Sequence, residues 1–156
     1  MGLISDPGGA SMIDITEKPL AYREAVARGR IRLKKETIEK IRAGEVKKGD
    51  VLTVARVAAI QSVKDTPRII MLCHPIQVTS TDVDFKIGED YIEVSVKVKA
   101  IAQTGVEMEA LTAVSSALLN VWDMVKYLEK DESGNYPHTR IEEIVVDRKV
   151  KSLVNR

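Results

Sequence analysis

From Leu111 to Trp122 the chain runs without a single charged residue. This stretch lies inside the longest helical pattern in the sequence, Val106 to Lys130. At about 100° per residue, Leu111, Val114, Leu118, Val121, Trp122, Val125 and Leu128 fall on one broad face and form a core stripe. Opposite it fall Glu109, Thr112, Ser116, Asn120 and Asp123, with Lys126 and Lys130 at the edge. A solvent face of a helix this long ordinarily carries Lys and Glu along its length. Here small neutral side chains replace them, with carboxylates at one end and an Asp123/Lys126 pair, one turn apart, at the other. The pattern favours a face covered by a partner or a ligand over an ordinary wet one.

The other elements follow from periodicity and punctuation. Tyr91 to Ala102 alternates cleanly, with Ile92, Val94, Val96 and Val98 on one side and Glu93, Ser95, Lys97 and Lys99 on the other. Gly88-Glu89-Asp90 joins it to Val78 to Ile87 as a hairpin. A helix is expected from Lys35 to Ala43, stopped by Gly44, and another from Val51 to about Lys64, capped by Asp50 of the KKGD turn. That second helix carries so many apolar residues that it is expected to be buried nearly all round, and a buried Arg56 would then need a partner anion. Pro67 and Pro75 bracket RIIMLCH as an irregular connection. Met12 to Arg30 has weak periodicity and reads as an ordered or ligand-ordered arm before a short strand at Ile31 to Leu33. A last strand begins at Arg140 and runs to Val146 or a little beyond. Residues 1 to 11 read as a disordered extension, leaving 12 to 156 as one domain. Merging the two middle helices into one crossover gives an α+β, ferredoxin-like antiparallel sheet with helices on one face.

Composition narrows the function. A formal net charge of +1 leaves no global field for nucleic acid or membrane, and aromatics are only 4%. An anionic ligand must therefore meet a local cluster of cations. The single cysteine, Cys73, excludes an intrachain disulfide, and with His74 and His138 it cannot complete a Cys/His zinc site within one chain. No apolar run reaches the roughly 20 residues of a membrane span. A cytoplasmic protein is expected. Phosphate-loop, dinucleotide, zinc-protease and nucleophile-elbow motifs do not occur. What remains is acid/base chemistry by Asp, Lys and His around an anion.

Six segments in this order, MIDI, YREAVARG, KKGDVLTVARVAAI, LCHP, TGVEMEALTA and WDMVK, cover roughly Met12 to Lys130. Together they resemble the cyclic pyranopterin monophosphate synthases, the molybdenum cofactor biosynthesis protein C family, whose fold is ferredoxin-like. The resemblance implies a lyase that converts (8S)-3′,8-cyclo-7,8-dihydroguanosine 5′-triphosphate, made from GTP by a radical S-adenosylmethionine enzyme, to cyclic pyranopterin monophosphate and diphosphate. It implies Asp123 as the catalytic acid/base, Lys126 and Lys48 as catalytic lysines, and Leu72, Cys73, His74, Met108 and Glu109 as substrate-binding positions. Lys64 and Arg23 are further candidates for the triphosphate. Glu109 is suited to accept from a guanine-like amidine edge. A homo-hexamer, a trimer of dimers with shared active sites, is the assembly the resemblance implies. No resident cofactor is expected; Mg²⁺ often accompanies triphosphates, but no protein ligand set for it is visible. This chain departs from many relatives at Asp65 and Met71, and in a tail, KVKSLVNR, that lacks the Gly- and Lys-rich ending common in bacteria. A non-catalytic nucleotide-binding module on the same scaffold is the alternative from another class.

Overall fold

The alternation of Tyr91 to Ala102 is realised as one of two central strands in a four-stranded antiparallel sheet. A computed structural model describes residues 9–154. Its elements are β1 (Ala21–Arg32), α1 (Lys35–Ala43), α2 (Val51–Ile69), β2 (Val78–Ile87), β3 (Tyr91–Ala102), α3 (Glu107–Glu129) and β4 (Arg140–Leu153). The strand order is β2-β3-β1-β4 with every pairing antiparallel, and the helices pack on one face, which is the ferredoxin-like arrangement expected. Most of the N-terminal extension expected over 1 to 11 lies outside the described residues. Among those described, no helix is long and apolar enough to cross a membrane.

The expected arm over Met12 to Arg30 is the largest correction. From Ala21 it is a twelve-residue central strand that merges with the short one expected at Ile31. Its inward positions are Ala21, Arg23, Ala25, Ala27, Gly29 and Ile31, all buried. They are too small to write a hydrophobic alternation, because α3 lies directly across them. A Cβ at Gly29 would sit 2.8 Å from Val114 Cγ1 and 3.0 Å from Ile144 Cγ1, so the missing side chain lets helix and strand approach. Beside it the β1/β4 ladder shifts register, and Glu143 takes a left-handed φ of 56°. Most of the outward positions of β1 are charged, and its arginines pair across strands: Arg30 with Glu93 at 2.9 Å, and Arg28 with Asp147 at 2.7 Å.

Helix α2 also differs from expectation. Only Val51, Ala55, Ala59, Val63 and Thr66 are buried, while Val54 and Val57 face outward, so the helix is buried along one stripe rather than all round. Arg56 is accordingly exposed; it donates to the Val83 carbonyl and lies over the Phe85 ring, with no buried anion required. The helix continues through Pro67, placed in the last turn. A proline there forfeits one ladder bond and leaves the residues before it helical. Alanines on both helices, Ala55 and Ala59 against Ala110, Ala113 and Ala117, let α2 and α3 pack closely along their lengths.

The far end of α3 is anchored by a wholly buried carboxylate. Glu129 accepts from Thr37 Oγ1, from Thr139 Oγ1 at 2.7 Å and from the Lys34 amide at 3.1 Å. A buried carboxylate is tolerated when its lone pairs are used. This one ties the end of α3 to α1 and to the entry of β4.

Candidate active site

Two clusters form at opposite ends of the α2/α3 pair. The first is built from the KKGD turn and the last turns of α3. Gly49, at φ 114°, permits the tight turn, and Asp50 accepts from the Thr53 amide at 2.9 Å to start α2. Tyr127 of α3 holds this turn in place. Its hydroxyl accepts from the Lys47 amide at 3.0 Å, and the Lys47 ammonium lies 5.1 Å from the ring centroid.

Lys48 is thereby brought to Asp123, with its Nζ 2.8 Å from Oδ2, while Lys126 Nζ lies 3.0 Å from Oδ1. The Asp123 carboxylate is thus gripped by one ammonium on each oxygen. Hydrogen bonds from Lys48, then from Lys126, hold its pKa down at about 2, and Asp123 in turn raises that of Lys126. All three side chains are open to solvent, so the cluster can receive a ligand without local unfolding. Behind it, Trp122 meets Tyr136 edge to face at 5.2 Å.

The second cluster joins the connection after α2 to the first turn of α3. Contrary to the wheel reading, Glu109 does not lie on a polar back; it is 1% exposed, turned beneath the connection. Its Oε2 lies 3.9 Å from Cys73 Sγ, and its Oε1 is buried with no partner. Burial, and secondarily the neighbouring Glu107, raise its pKa to about 7. Burial, then Glu109, also push the Cys73 thiol up.

Glu107 pairs through Oε1 with Lys149 of β4 at 3.2 Å, while its Oε2 is buried without a partner. That Oε2 occupies the space a Cβ on Gly105 would take, 2.3 Å away. Glycine therefore allows the carboxylate to fold back over the helix start. A cavity of about 400 Å³ lies alongside, lined by Leu72, Cys73, His74, Glu107 and Met108 together with Ile13, Ile15 and Lys18.

The structure thus brings Lys48, Asp123 and Lys126 together at one end, and Leu72, Cys73, His74, Met108 and Glu109 at the other. Glu109 and Asp123 are separated along α3 by about 20 Å at 1.5 Å per residue. Arg23 is buried and donates to the carbonyls of Ala102 at 3.4 Å and Gln103 at 3.2 Å, so within this chain it holds the turn after β3. Lys64 is exposed on α2 and does not line the cavity. Tyr127, Glu107 and Lys149 also contribute to the clusters, although the sequence reading gives none of them a role. Glu107 sat in the TGVEMEALTA motif, whereas Tyr127 and Lys149 gave no motif signal. Among the described residues no three His, Cys, Asp or Glu side chains converge to hold a metal ion.

The fold and its side-chain clusters together define an α+β protein with an antiparallel ferredoxin-like sheet, a solvent-open Lys–Asp–Lys cluster and a separate cavity beside buried carboxylates. The MoaC family model matches residues 12–152, and the chain belongs to that family. It is 57% identical over 146 residues to a Thermococcus kodakarensis protein named "Probable cyclic pyranopterin monophosphate synthase", covering 94% of each chain. Proteins of the same name from Pyrococcus furiosus and Methanosarcina mazei are also 57% identical over 146 residues, covering 94% of this chain and 94% and 93% of theirs.

Proposed function

We propose that this protein is a cyclic pyranopterin monophosphate synthase of molybdenum cofactor biosynthesis. It acts as a lyase on the cyclised GTP intermediate, 3′,8-cyclo-7,8-dihydroguanosine 5′-triphosphate, which a radical S-adenosylmethionine enzyme supplies in the cytoplasm. The observation that carries this reading is the Lys48–Asp123–Lys126 cluster, formed by the KKGD and WDMVK segments on which the family resemblance rests.

Opening one ring, closing another and forming a cyclic phosphate requires several proton transfers. With its pKa at about 2, Asp123 is a weak base while both lysines hold it. Phosphate oxygens of the substrate compete for the same ammonium groups. As they draw Lys48 and Lys126 away, the Asp123 carboxylate becomes more basic and the lysines remain as nearby acids. The substrate's own charge thus switches the cluster on. At the other end, Glu109 titrates near neutrality and offers a buried, unpartnered oxygen, which suits recognition of an amidine edge. Any Mg²⁺ would arrive with the triphosphate and screen its charge.

One chain separates these two ends too widely for a single reacting ring to meet both. We therefore read the active form as an oligomer in which the Cys73–Glu109 end of one copy completes the Lys48–Asp123 end of another, within a trimer of dimers. The stripe between the ends supports this. Asn120 donates to the Ser116 carbonyl and Ser115 to the Leu111 carbonyl, both at 2.8 Å, so these polar groups can be covered without losing their partners, while Leu119 stands exposed beside them.

The test is turnover of the purified cyclised triphosphate, followed by pyranopterin and diphosphate release, with Asp123→Asn in parallel. Product from the unmodified protein and at least about a hundredfold less from the variant is the expected result. No product from a folded, assembled protein would refute the proposal.

A further inference from the structure

We infer that Tyr136 is a further substrate-binding residue at the Lys48–Asp123–Lys126 end, its phenol O–H donating to an oxygen of the phosphate that Lys126 holds, and that Trp122 is the positioning residue that sets the ring there. This inference rests on the function proposed above.

Tyr136 comes to the cluster from the loop after α3, by way of Trp122. Trp122 and Lys126 are four residues apart on α3, so their side chains are neighbours on one face. Trp122 packs against the core, and the Tyr136 ring meets it edge to face, 5.2 Å between centroids and 71° between planes. A ring seated on Trp122 therefore lies alongside the Lys126 stem. Electrostatics agrees with this placement: hydrogen bonding to Asp123 is the main cause of the raised Lys126 pKa, and Tyr136 adds to it.

The loop holds Tyr136 from both sides. Before it, Asp131 Oδ1 accepts from the Ser133 amide at 2.9 Å, the Ser133 hydroxyl at 2.7 Å and the Asn135 amide at 2.9 Å, while the Asp131 amide donates to the Asn135 carbonyl at 2.9 Å. Gly134, at φ 83°, supplies the left-handed residue this closed turn needs. After it, Pro137 biases the Tyr136 backbone toward extended conformations, and the Thr139 hydroxyl donates to the buried Glu129 at 2.7 Å. A side chain on a loop fixed in this way is delivered to one place.

The chemistry of that place calls for a directed donor. The Tyr136 ring is half-buried, and among the described residues its hydroxyl has no hydrogen-bond partner. The hydroxyl of Tyr127, by contrast, is engaged by the Lys47 amide. Lys48 and Lys126 bring charge on flexible stems, and each ammonium can follow a phosphate in several orientations. A phenol on a fixed ring adds one hydrogen bond of set direction, which orients the phosphate that the lysines attract.

The experiment uses the full chain and its variants Tyr136→Phe, Tyr136→Ala, Trp122→Phe and Trp122→Leu. Steady-state kinetics on the cyclised triphosphate, thermal midpoints and calorimetric titration with inorganic tripolyphosphate are compared. Tyr136→Phe keeps the ring and its contact with Trp122. It is expected to raise KM about tenfold, one lost hydrogen bond to a charged group, with kcat within about twofold and the thermal midpoint unchanged. A tyrosine that merely packs would leave Tyr136→Phe silent and only Tyr136→Ala impaired, and that result would overturn the inference. Trp122→Leu is expected to raise KM several-fold through the displaced ring, with Trp122→Phe largely restoring it; equal KM values in the two would overturn the positioning role. Should Trp122→Leu fail to fold, fluorescence decides, because Trp122 is the sole tryptophan. Tripolyphosphate is expected to change its emission in the unmodified chain but not in Tyr136→Ala, and the same response in both would again overturn that role. If the unmodified protein turns over no substrate, the functional reading fails separately. Tripolyphosphate affinity then judges the inference: it is expected to weaken about tenfold in Tyr136→Phe, and equal affinities would overturn it.

Discussion

Glu109 and Asp123 lie on the same helix, near its two ends, and their surroundings push them in opposite directions. Asp123 is exposed, held by two ammonium groups and pinned at about 2; Glu109 is buried, has one oxygen without a partner and is lifted to about 7. The first end is charged and satisfied, so it exchanges its partners for those of a ligand at little cost. The second is desolvated and unsatisfied, so it gains by acquiring a donor. Electrostatics dominates one end and burial the other, so the two carboxylates of one helix are tuned by different physical causes.

This contrast can be broken most severely at Asp123. In Asp123→Asn, turnover is expected to fall at least about a hundredfold while the thermal midpoint stays put, because the side chain is exposed. A parallel fall in stability would show that the cluster is a structural brace instead.

Next in size is Glu109. Its folded-state pKa lies above its ordinary carboxylate value, so the stability associated with its protonation is present below about pH 4.5 and is lost as pH rises through about 7. Thermal unfolding from pH 5 to 8 is expected to show this decline, and Glu109→Gln to remove it, gaining on the order of 2 kcal/mol at pH 8. Identical slopes in the two proteins would mean that the carboxylate is not desolvated in solution.

The smallest effect sharpens the other end. Lys48→Met removes the leading cause of Asp123's low value, so its carboxyl is expected to titrate higher, while Lys126 keeps it below the unperturbed value. Carbon-13 NMR titration of the aspartates would read this directly, and an unshifted Asp123 would remove Lys48 from the cluster.

Much of this architecture was legible in the residues. The hairpin, α1 and α3 announced themselves through period and punctuation, because each buries a single face. Strand β1 did not, since a central strand beneath a closely packed helix uses Ala and Gly inside and paired Arg outside, which mimics an irregular polar segment. The outward-facing Val54 and Val57 made α2 look fully buried for the opposite reason: apolar residues can face outward. At the candidate site, the KKGD and WDMVK segments single out Lys48, Asp123 and Lys126, and the fold brings the three together. Glu109 was placed on the wrong face because its burial comes from the connection after α2, a contact no helical wheel contains. Tyr127 acts through a long-range contact to the Lys47 amide, which leaves no local pattern to read.

The central claim is that the two ends of the α2/α3 pair are halves of one site completed between copies, and subunit complementation tests it most directly. One chain carries Asp123→Asn, the other His74→Ala with Glu109→Gln, and each alone is expected to form inactive assemblies. Co-expressed as mixed oligomers, they are predicted to recover about a quarter of the unmodified activity, since random two-fold pairing regenerates one intact site in each mixed pair. Mixed oligomers as inactive as their parents would contradict the account and place each site within a single chain.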